Sequence, residues 1–257
     1  MQNFTHESGL FSYRIEGEVA ILRAEKSVIE IAVDLDAKES FFSTFSEIEQ
    51  SPKIRALVLT HSSDALSDDI YRRFILSMVR AARSGVFAES TIDLQREMNA
   101  ISQFVLSASA FRKVLVSCLH GRVASSFFGA HLSGDIRIAS EDLVVEMSHI
   151  ALGIPPDGGL GFFLPRYVGQ GLATEILLSG DPLPAQRALD LGLVHAIVPT
   201  RDFDANCLDV ARRFLTVPAA TVPYTKETLA PRVEDLKDYL KAQVSATIRA
   251  IAVRSST

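Results

Sequence analysis

Short apolar runs recur along the first 200 residues and predict a set of buried strands. Residues 54–60 (IRALVLT) and Val114–Leu119 (VLVSCL) are almost continuously apolar, as expected for strands that are covered on both faces. Further strands are predicted at residues 11–14, 18–23, 29–35, 136–139, 143–147 and 194–198.

Apolar positions spaced by three and four residues predict helices between these strands. Phe41, Phe45 and Ile48 share one stripe of a helix over residues 38–50. A long helical stretch over residues 69–111 is expected to break near Ser84-Gly85. Other helices are predicted from residue 126 onwards, at residues 158–168, 172–179 and 184–192, and throughout the chain after residue 202.

The order of these elements indicates an α/β protein with mostly parallel strands. Strand signals stop near residue 200, so we expect a core over residues 1–200 and a helical C-terminal region over residues 201–257. The C-terminal helices are expected to pack apart from the strands.

Composition and charge exclude several functional classes. The chain of 257 residues carries 31 acidic and 26 basic side chains, and this acidic balance argues against nucleic acid or a polybasic membrane surface as a partner. No apolar stretch reaches the roughly 18 residues of a membrane span, and the first residues are polar, so a cytoplasmic protein is expected. Cys118 and Cys207 lie in apolar surroundings and are interpreted as buried thiols.

Three stretches between residues 114 and 200 form a connected pattern. They read VLVSCLHGRVASSFFGAHLSGDIRIAS, HIALGIPPDGGLGFFLPRYVG and EILLSGDPLPAQRALDLGLVHAIVP, and IRALVLTHSSDALSDDIY lies upstream of them. In spacing and character these stretches resemble the crotonase (enoyl-CoA hydratase/isomerase) superfamily, over about 180 residues.

This resemblance implies a crotonase-like spiral of ββα units, with a C-terminal helical region that takes part in forming a homotrimer or a dimer of trimers. It implies an acyl-CoA or acyl-carrier-protein thioester as the small-molecule substrate, with no separate cofactor. The chemistry it implies is an enolate or other oxyanion held by two backbone N–H groups, which fall on Ile70 and Ser126 here. Such preorganised donors stabilise charge that develops in the transition state.

The chain departs from the family pattern at the residues that matter most. The two glutamates of hydratases correspond to Gly129 and His149, so hydration by a glutamate pair is not expected. The first oxyanion loop carries Asp68 and Asp69 in place of small residues, and carboxylates near a forming oxyanion would oppose it.

His149 and Asp157 remain as candidate acid–base groups. Asp157 matches an aspartate used by dienoyl-CoA isomerases, and a histidine beside a carboxylate suits proton transfer next to a carbonyl. The favoured function is therefore an enoyl- or dienoyl-CoA isomerase. The structural alternative is that His149 bonds a carbonyl at the end of a strand and that Asp157 caps the helix beginning at Gly158-Gly159.

Two other functions stay open. A carbon–carbon bond (β-diketone) hydrolase of the same fold would also use a histidine and an aspartate near these positions, and its substrate would be a free diketone. A non-catalytic scaffold homologue would explain Gly129 and the acidic first loop.

Other polar residues are weaker candidates. His61 and His120 end buried strands near the oxyanion segments and, with Asp68 and Gly129, are predicted to line the pocket. The histidines show no metal-ligand spacing, so no metal site is expected. The stretch RVASSFF lacks the GxSxG signature of a serine hydrolase.

Overall fold

The computed structural model describes residues 6–7, 9–83, 87–229 and 233–255. The strands are β1 (His6–Glu7), β2 (Phe11–Glu16), β3 (Val19–Ala24), β4 (Ala56–His61), β5 (Val114–Leu119), β6 (Arg122–Ala124), β7 (Ile136–Ser140), β8 (Val144–Glu146), β9 (Leu183–Pro184) and β10 (Ala196–Val198). The helices are α1 (Val28–Val33), α2 (Leu35–Gln50), α3 (Asp68–Arg83), α4 (Phe87–Ala110), α5 (Ser125–His131), α6 (His149–Leu152), α7 (Leu160–Val168), α8 (Gln170–Ser179), α9 (Ala185–Asp190), α10 (Phe203–Arg213), α11 (Thr221–Leu229) and α12 (Val233–Ser255), with a 3-10 helix at Phe214–Thr216.

Two sheets organise these elements. The larger sheet has the strand order β1-β2-β3-β4-β5-β7-β10, with antiparallel pairing from β1 to β3 and parallel pairing beyond. The smaller sheet has the order β6-β8-β9, with β6 and β8 parallel. The predicted α/β architecture with mostly parallel strands is therefore confirmed.

One predicted strand is wrong. Residues 29–35 form α1 and the first residue of α2 instead of a strand. Ser27 accepts a hydrogen bond from the N–H of Ile29, and Asp34 accepts one from the N–H of Ala37, so each helix begins at a capping side chain. The two caps outweigh the strand preference of the β-branched residues between them.

The larger sheet is covered on both faces. Phe45 and Ile48 of α2 pack with Leu57 and Leu115 against one face. On the other face, Cys207 and Leu208 of α10 pack among strand residues that include Val58, Val116 and Ile138. The expectation that helices after residue 200 pack apart from the strands is therefore wrong for α10, because its apolar stripe covers the sheet.

Helix α12 lies elsewhere, against α3 and α4. Its buried residues are Leu236, Leu240, Gln243, Thr247 and Ile251. Gln243 accepts a hydrogen bond from the N–H of Gly159, which joins α12 to the loop before α7. The predicted break near Ser84-Gly85 lies outside the described residues. None of the described helices is long and apolar enough to cross a membrane.

Helices α5 and α7 approach each other closely at Gly129. A Cβ at this position would lie 2.7 Å from Leu160 Cβ and 2.9 Å from the carbonyl oxygen of Gly158. Only glycine fits at this contact, because backbone atoms of Gly158 and Leu160, at the entry to α7, occupy the space that a side chain would need.

Removing a side chain of α10 tests whether this helix belongs to the core. Leu208 is 5% exposed, and Leu208→Ala is expected to lower the free energy of unfolding by about 2–5 kcal/mol. Leu35→Ala on α2 is the matched control, because Leu35 is 51% exposed and a change within about 0.5 kcal/mol is expected. Equal effects of the two variants in urea denaturation would show that α10 does not stabilise the sheet.

A second pair of variants tests the contact between α5 and α7. Gly129→Ala is expected to lower the free energy of unfolding by about 1–3 kcal/mol, because the methyl group has no space. Gly171→Ala on α8 meets no atom within 4 Å, and a gain of about 0.5–1 kcal/mol is expected from helix propensity. A stabilising Gly129→Ala would contradict the close packing.

Candidate active site

The two proposed oxyanion segments lie side by side. The carbonyl of Leu66 accepts a hydrogen bond from the N–H of Ala124 at 3.0 Å, and Ser67 forms an antiparallel bridge with Val123. Ile70 is in the first turn of α3 and Ser126 in the first turn of α5, where backbone N–H groups lack intrahelical acceptors. Within the described chain neither N–H has a hydrogen-bond partner, so both are free to act as donors.

The carboxyl group of Asp157 lies between these segments. Its Oδ2 accepts a hydrogen bond from the hydroxyl of Tyr71 at 2.6 Å, and Tyr71 directly follows Ile70. Asp157 is only 3% exposed. Burial raises the pKa of Asp157 to about 6, although the hydroxyls of Tyr71 and Ser126 favour its charged form. The Ser126 oxygen itself makes no hydrogen bond of normal geometry with a described residue.

Gly158 allows the loop that carries Asp157 to come this close. Its φ is +61°, and a Cβ there would lie 1.8 Å from the carbonyl oxygen of Ser126. A side chain at this position would therefore push the Asp157 loop away from the start of α5.

His149 and Asp157 are not brought together as a hydrogen-bonded pair. His149 is 1% exposed, and its Nε2 lies 3.0 Å from the carbonyl oxygen of Leu177. A carbonyl only accepts, so Nε2 donates and Nδ1 accepts from the Ser125 hydroxyl at 3.3 Å. Burial lowers the pKa of His149. His149 therefore bonds a backbone carbonyl, but this carbonyl belongs to helix α8 and not to the end of a strand. The Asp157 carboxylate accepts from Tyr71, and α7 has no side-chain cap.

Asp68 and Gly129 do not line the apolar pocket described below, and each makes other contacts. The Asp68 carboxylate accepts a hydrogen bond from the hydroxyl of Ser148, and burial raises the pKa of Asp68. Gly129 faces Leu160 and Gly158, as described above. The wall where hydratases carry a glutamate is therefore filled by the start of α7.

An apolar pocket of about 100 Å³ opens beside the oxyanion segments. Leu66 and Phe127, which adjoin the two segments, belong to its wall. His61 and His131 also line it, and burial lowers the pKa of His131 to about 4. The ring of His61 stacks on His120 at 4.2 Å. His120 itself faces a separate polar groove with Arg23 and Asp204.

Glu97 was not predicted from the sequence as a functional residue. This residue of α4 is fully buried, and neither of its carboxyl oxygens has a hydrogen-bond partner in the described part of the chain. Burial, together with the nearby Asp157, raises the pKa of Glu97 well above its usual value. A signal was present, because Glu97 stands in line with the apolar positions Leu94 and Ile101 on one face of a helix.

No cluster of three or more histidine, cysteine, aspartate or glutamate side chains suited to a metal ion occurs among the described residues. Cys118 and Cys207 are both buried free thiols.

Comparisons with known proteins identify the family of this chain. A family model for enoyl-CoA hydratase/isomerase matches residues 30–253. The short-chain-enoyl-CoA hydratase of Clostridium acetobutylicum is 23% identical over 223 residues, which cover 83% of this chain and 78% of that protein. The peroxisomal Delta(3,5)-Delta(2,4)-dienoyl-CoA isomerase of Arabidopsis thaliana is 25% identical over 167 residues, covering 65% of this chain and 60% of that protein. Matches to other relatives span 61% and 52% of those proteins' own lengths.

Solved structures show the same fold. The crystal structure of an enoyl-CoA hydratase from Bacillus halodurans has a TM-score of 0.79 at 19% identity, covering 96% of this chain and 99% of that chain. An enoyl-CoA hydratase/isomerase from Mycobacterium paratuberculosis has a TM-score of 0.76 at 20% identity, covering 95% and 94%. The predicted crotonase-like fold is confirmed by these likenesses. Because the family model matches most of its length, the chain belongs to the enoyl-CoA hydratase/isomerase family.

Proposed function

We propose that this protein is an isomerase that moves a double bond in a short-chain enoyl or dienoyl thioester. The N–H groups of Ile70 and Ser126 hold the thioester oxygen as it becomes an enolate, and Asp157 moves the proton. The observation that carries this proposal is the position of the Asp157 carboxyl between the two oxyanion segments, bonded to Tyr71.

The protonation of Asp157 suits a base at neutral pH. With its pKa raised to about 6, Asp157 is mostly ionised at pH 7 and is a stronger base than an exposed aspartate. Asp68 does not oppose the developing oxyanion from within the site, because Ser148 holds its carboxylate elsewhere.

Double-bond migration is favoured over hydration by the residues at the family's glutamate positions. Gly129 offers no carboxylate, and the approach of Leu160 leaves no space for a side chain there. His149 has both ring nitrogens engaged and is proposed to position α5 through its contact with Ser125. The similarity to a dienoyl-CoA isomerase supports the same choice.

The apolar pocket is proposed to take the acyl chain, with His61 in its wall. Its volume of about 100 Å³ is smaller than the ~150 Å³ apolar cavity that accepts benzene in an engineered protein, so a short chain fits. We propose coenzyme A or an acyl-carrier protein as the carrier of this thioester.

Substitution of Asp157 tests the assignment directly. Asp157→Asn is expected to lower kcat by about 10²- to 10⁴-fold, because the amide cannot take up a proton. For the wild type, kcat/KM is expected to fall as the pH drops below about 6, where the carboxylate becomes protonated. Both are measured by the absorbance change of short 3-enoyl-CoA and 3,5-dienoyl-CoA substrates, with product identity from mass spectrometry.

His149→Ala is the comparison variant. It loses two buried hydrogen bonds, so a drop in unfolding free energy of about 2–5 kcal/mol is expected, with a smaller loss of kcat than for Asp157→Asn. A folded His149→Ala that loses as much kcat as Asp157→Asn would return the acid–base role to the histidine. Cleavage of a β-diketone in place of isomerisation would favour the hydrolase.

We also propose that the chain assembles as a homotrimer or a dimer of trimers. Ile150 is 43% exposed and lies beside Gly180. Leu178, two residues before Gly180 and near the end of α8, is 71% exposed. Leu178→Lys is expected to reduce the assembled fraction in light scattering, because a charge would be buried at the contact. Leu35→Lys on α2, where Leu35 is 51% exposed, is the control. A wild-type monomer at micromolar concentration would contradict the proposal.

A further inference from the structure

Unpartnered oxygen atoms collect at one place in the core. Within the described chain, both carboxyl oxygens of Glu97, the Oδ1 of Asp157 and the Oγ of Ser126 are buried and lack hydrogen-bond partners. Buried polar atoms are almost always paired in folded proteins, so a group of this kind needs an explanation. The three side chains come from different parts of the chain. A local packing defect is therefore a poor explanation for their unpartnered oxygens.

The surroundings of the cluster contain no described cation. Helix α3 contributes Tyr71, whose hydroxyl bonds Asp157, and α12 contributes Tyr239. The charge of Asp157 helps to raise the pKa of both tyrosines, so both hydroxyls stay protonated. Asp93 and Arg96 of α4 pair with each other and are partly exposed. No described positive charge therefore offsets the repulsion that Glu97 and Asp157 would feel if both were ionised.

Two carboxyl groups that are both buried cannot both ionise at moderate cost, so we expect the pair to retain a proton. We expect this proton on Glu97, because no described group donates a hydrogen bond to Glu97, whereas Asp157 accepts one from Tyr71. At neutral pH the site thus holds one ionised and one protonated carboxyl group. Two carboxyl groups whose pKa values are separated in this way supply a base and an acid at the same time.

We propose that Glu97 is the second acid–base group of the isomerase, supplying from α4 the carboxyl that the chain lacks at Gly129 and His149. This inference rests on the proposed function.

The proposed step balances protons and electrons. The Asp157 carboxylate removes a proton from the substrate, and the C–H electron pair moves through the conjugated system onto the thioester oxygen. Glu97 then gives its proton to a second carbon, and the electron pair returns from the oxygen to form the new C–H bond. Asp157 ends protonated and Glu97 ionised, and transfer of one proton between them restores the starting state.

Hydrogen exchange distinguishes a mechanism with two acid–base groups from a mechanism with one. In D₂O, Glu97→Gln is expected to keep the exchange of substrate hydrogen catalysed by Asp157 within threefold of the wild type, while double-bond migration falls about 10²- to 10⁴-fold. Asp157→Asn is expected to lose both. Asp93→Asn, which removes a partly exposed carboxylate one turn earlier on α4, is the matched control and should change neither rate. Equal losses of exchange and migration in Glu97→Gln would overturn the inference while leaving the isomerase assignment intact.

The proton on Glu97 is also measurable without substrate. Infrared difference spectra at neutral pH are expected to show the C=O stretch of a buried carboxylic acid in the wild type and in Asp93→Asn, but not in Glu97→Gln. Absence of the band in the wild type would overturn the inference. If the band behaves as expected and no enoyl or dienoyl thioester is converted, the proposed function has failed and the shared proton stands.

A third variant tests whether the role of Glu97 is purely structural. Glu97→Leu replaces an unpartnered polar group with an apolar one, so a higher Tm is expected together with loss of migration. If Glu97→Gln and Glu97→Leu both fail to fold, the carboxyl group is needed for the fold, and the inference is overturned.

Discussion

The burial of two carboxyl groups without a cation is the constraint on which the rest of this structure depends. Glu97 and Asp157 form no ion pair among the described residues, and each is almost fully removed from water. A site of this kind exists only if the surrounding elements are held rigidly enough to exclude water. The hydroxyl of Tyr71 donates a hydrogen bond to Oδ2 of Asp157.

Close packing provides that rigidity. Gly129 and Gly158 bring α5 and the Asp157 loop to a separation that no side chain would permit. Helix α12 closes the site, because Gln243 bonds the loop at Gly159 and Tyr239 packs against Phe162 of α7. The residues that depart from the family pattern therefore form a coherent arrangement. Gly129, which removes a hydratase glutamate, is also the residue that permits this packing.

Local patterns predicted most of the elements but few of their contacts. The continuous apolar runs of β4 and β5 are covered on both faces, and the buried stripe of α2 contains Phe45 and Ile48, as its spacing predicted. Residues 29–35 fold as helices despite their β-branched composition, because the side chains of Ser27 and Asp34 cap the two helices. The position of α10 on the sheet was also missed, because an amphipathic pattern does not identify the surface it will cover.

The amino-acid sequence by itself determined the family, most of the strands and helices, and Asp157 as a candidate acid–base group, because these depend on local spacing and motif. Only the tertiary structure decided which groups meet. It joined Asp157 to Tyr71, engaged His149 with Ser125 and Leu177, and brought Glu97 near Asp157 across 60 residues of sequence. Such contacts follow from how helices pack, and the electrostatic character of a buried group depends on neighbours that are distant along the chain.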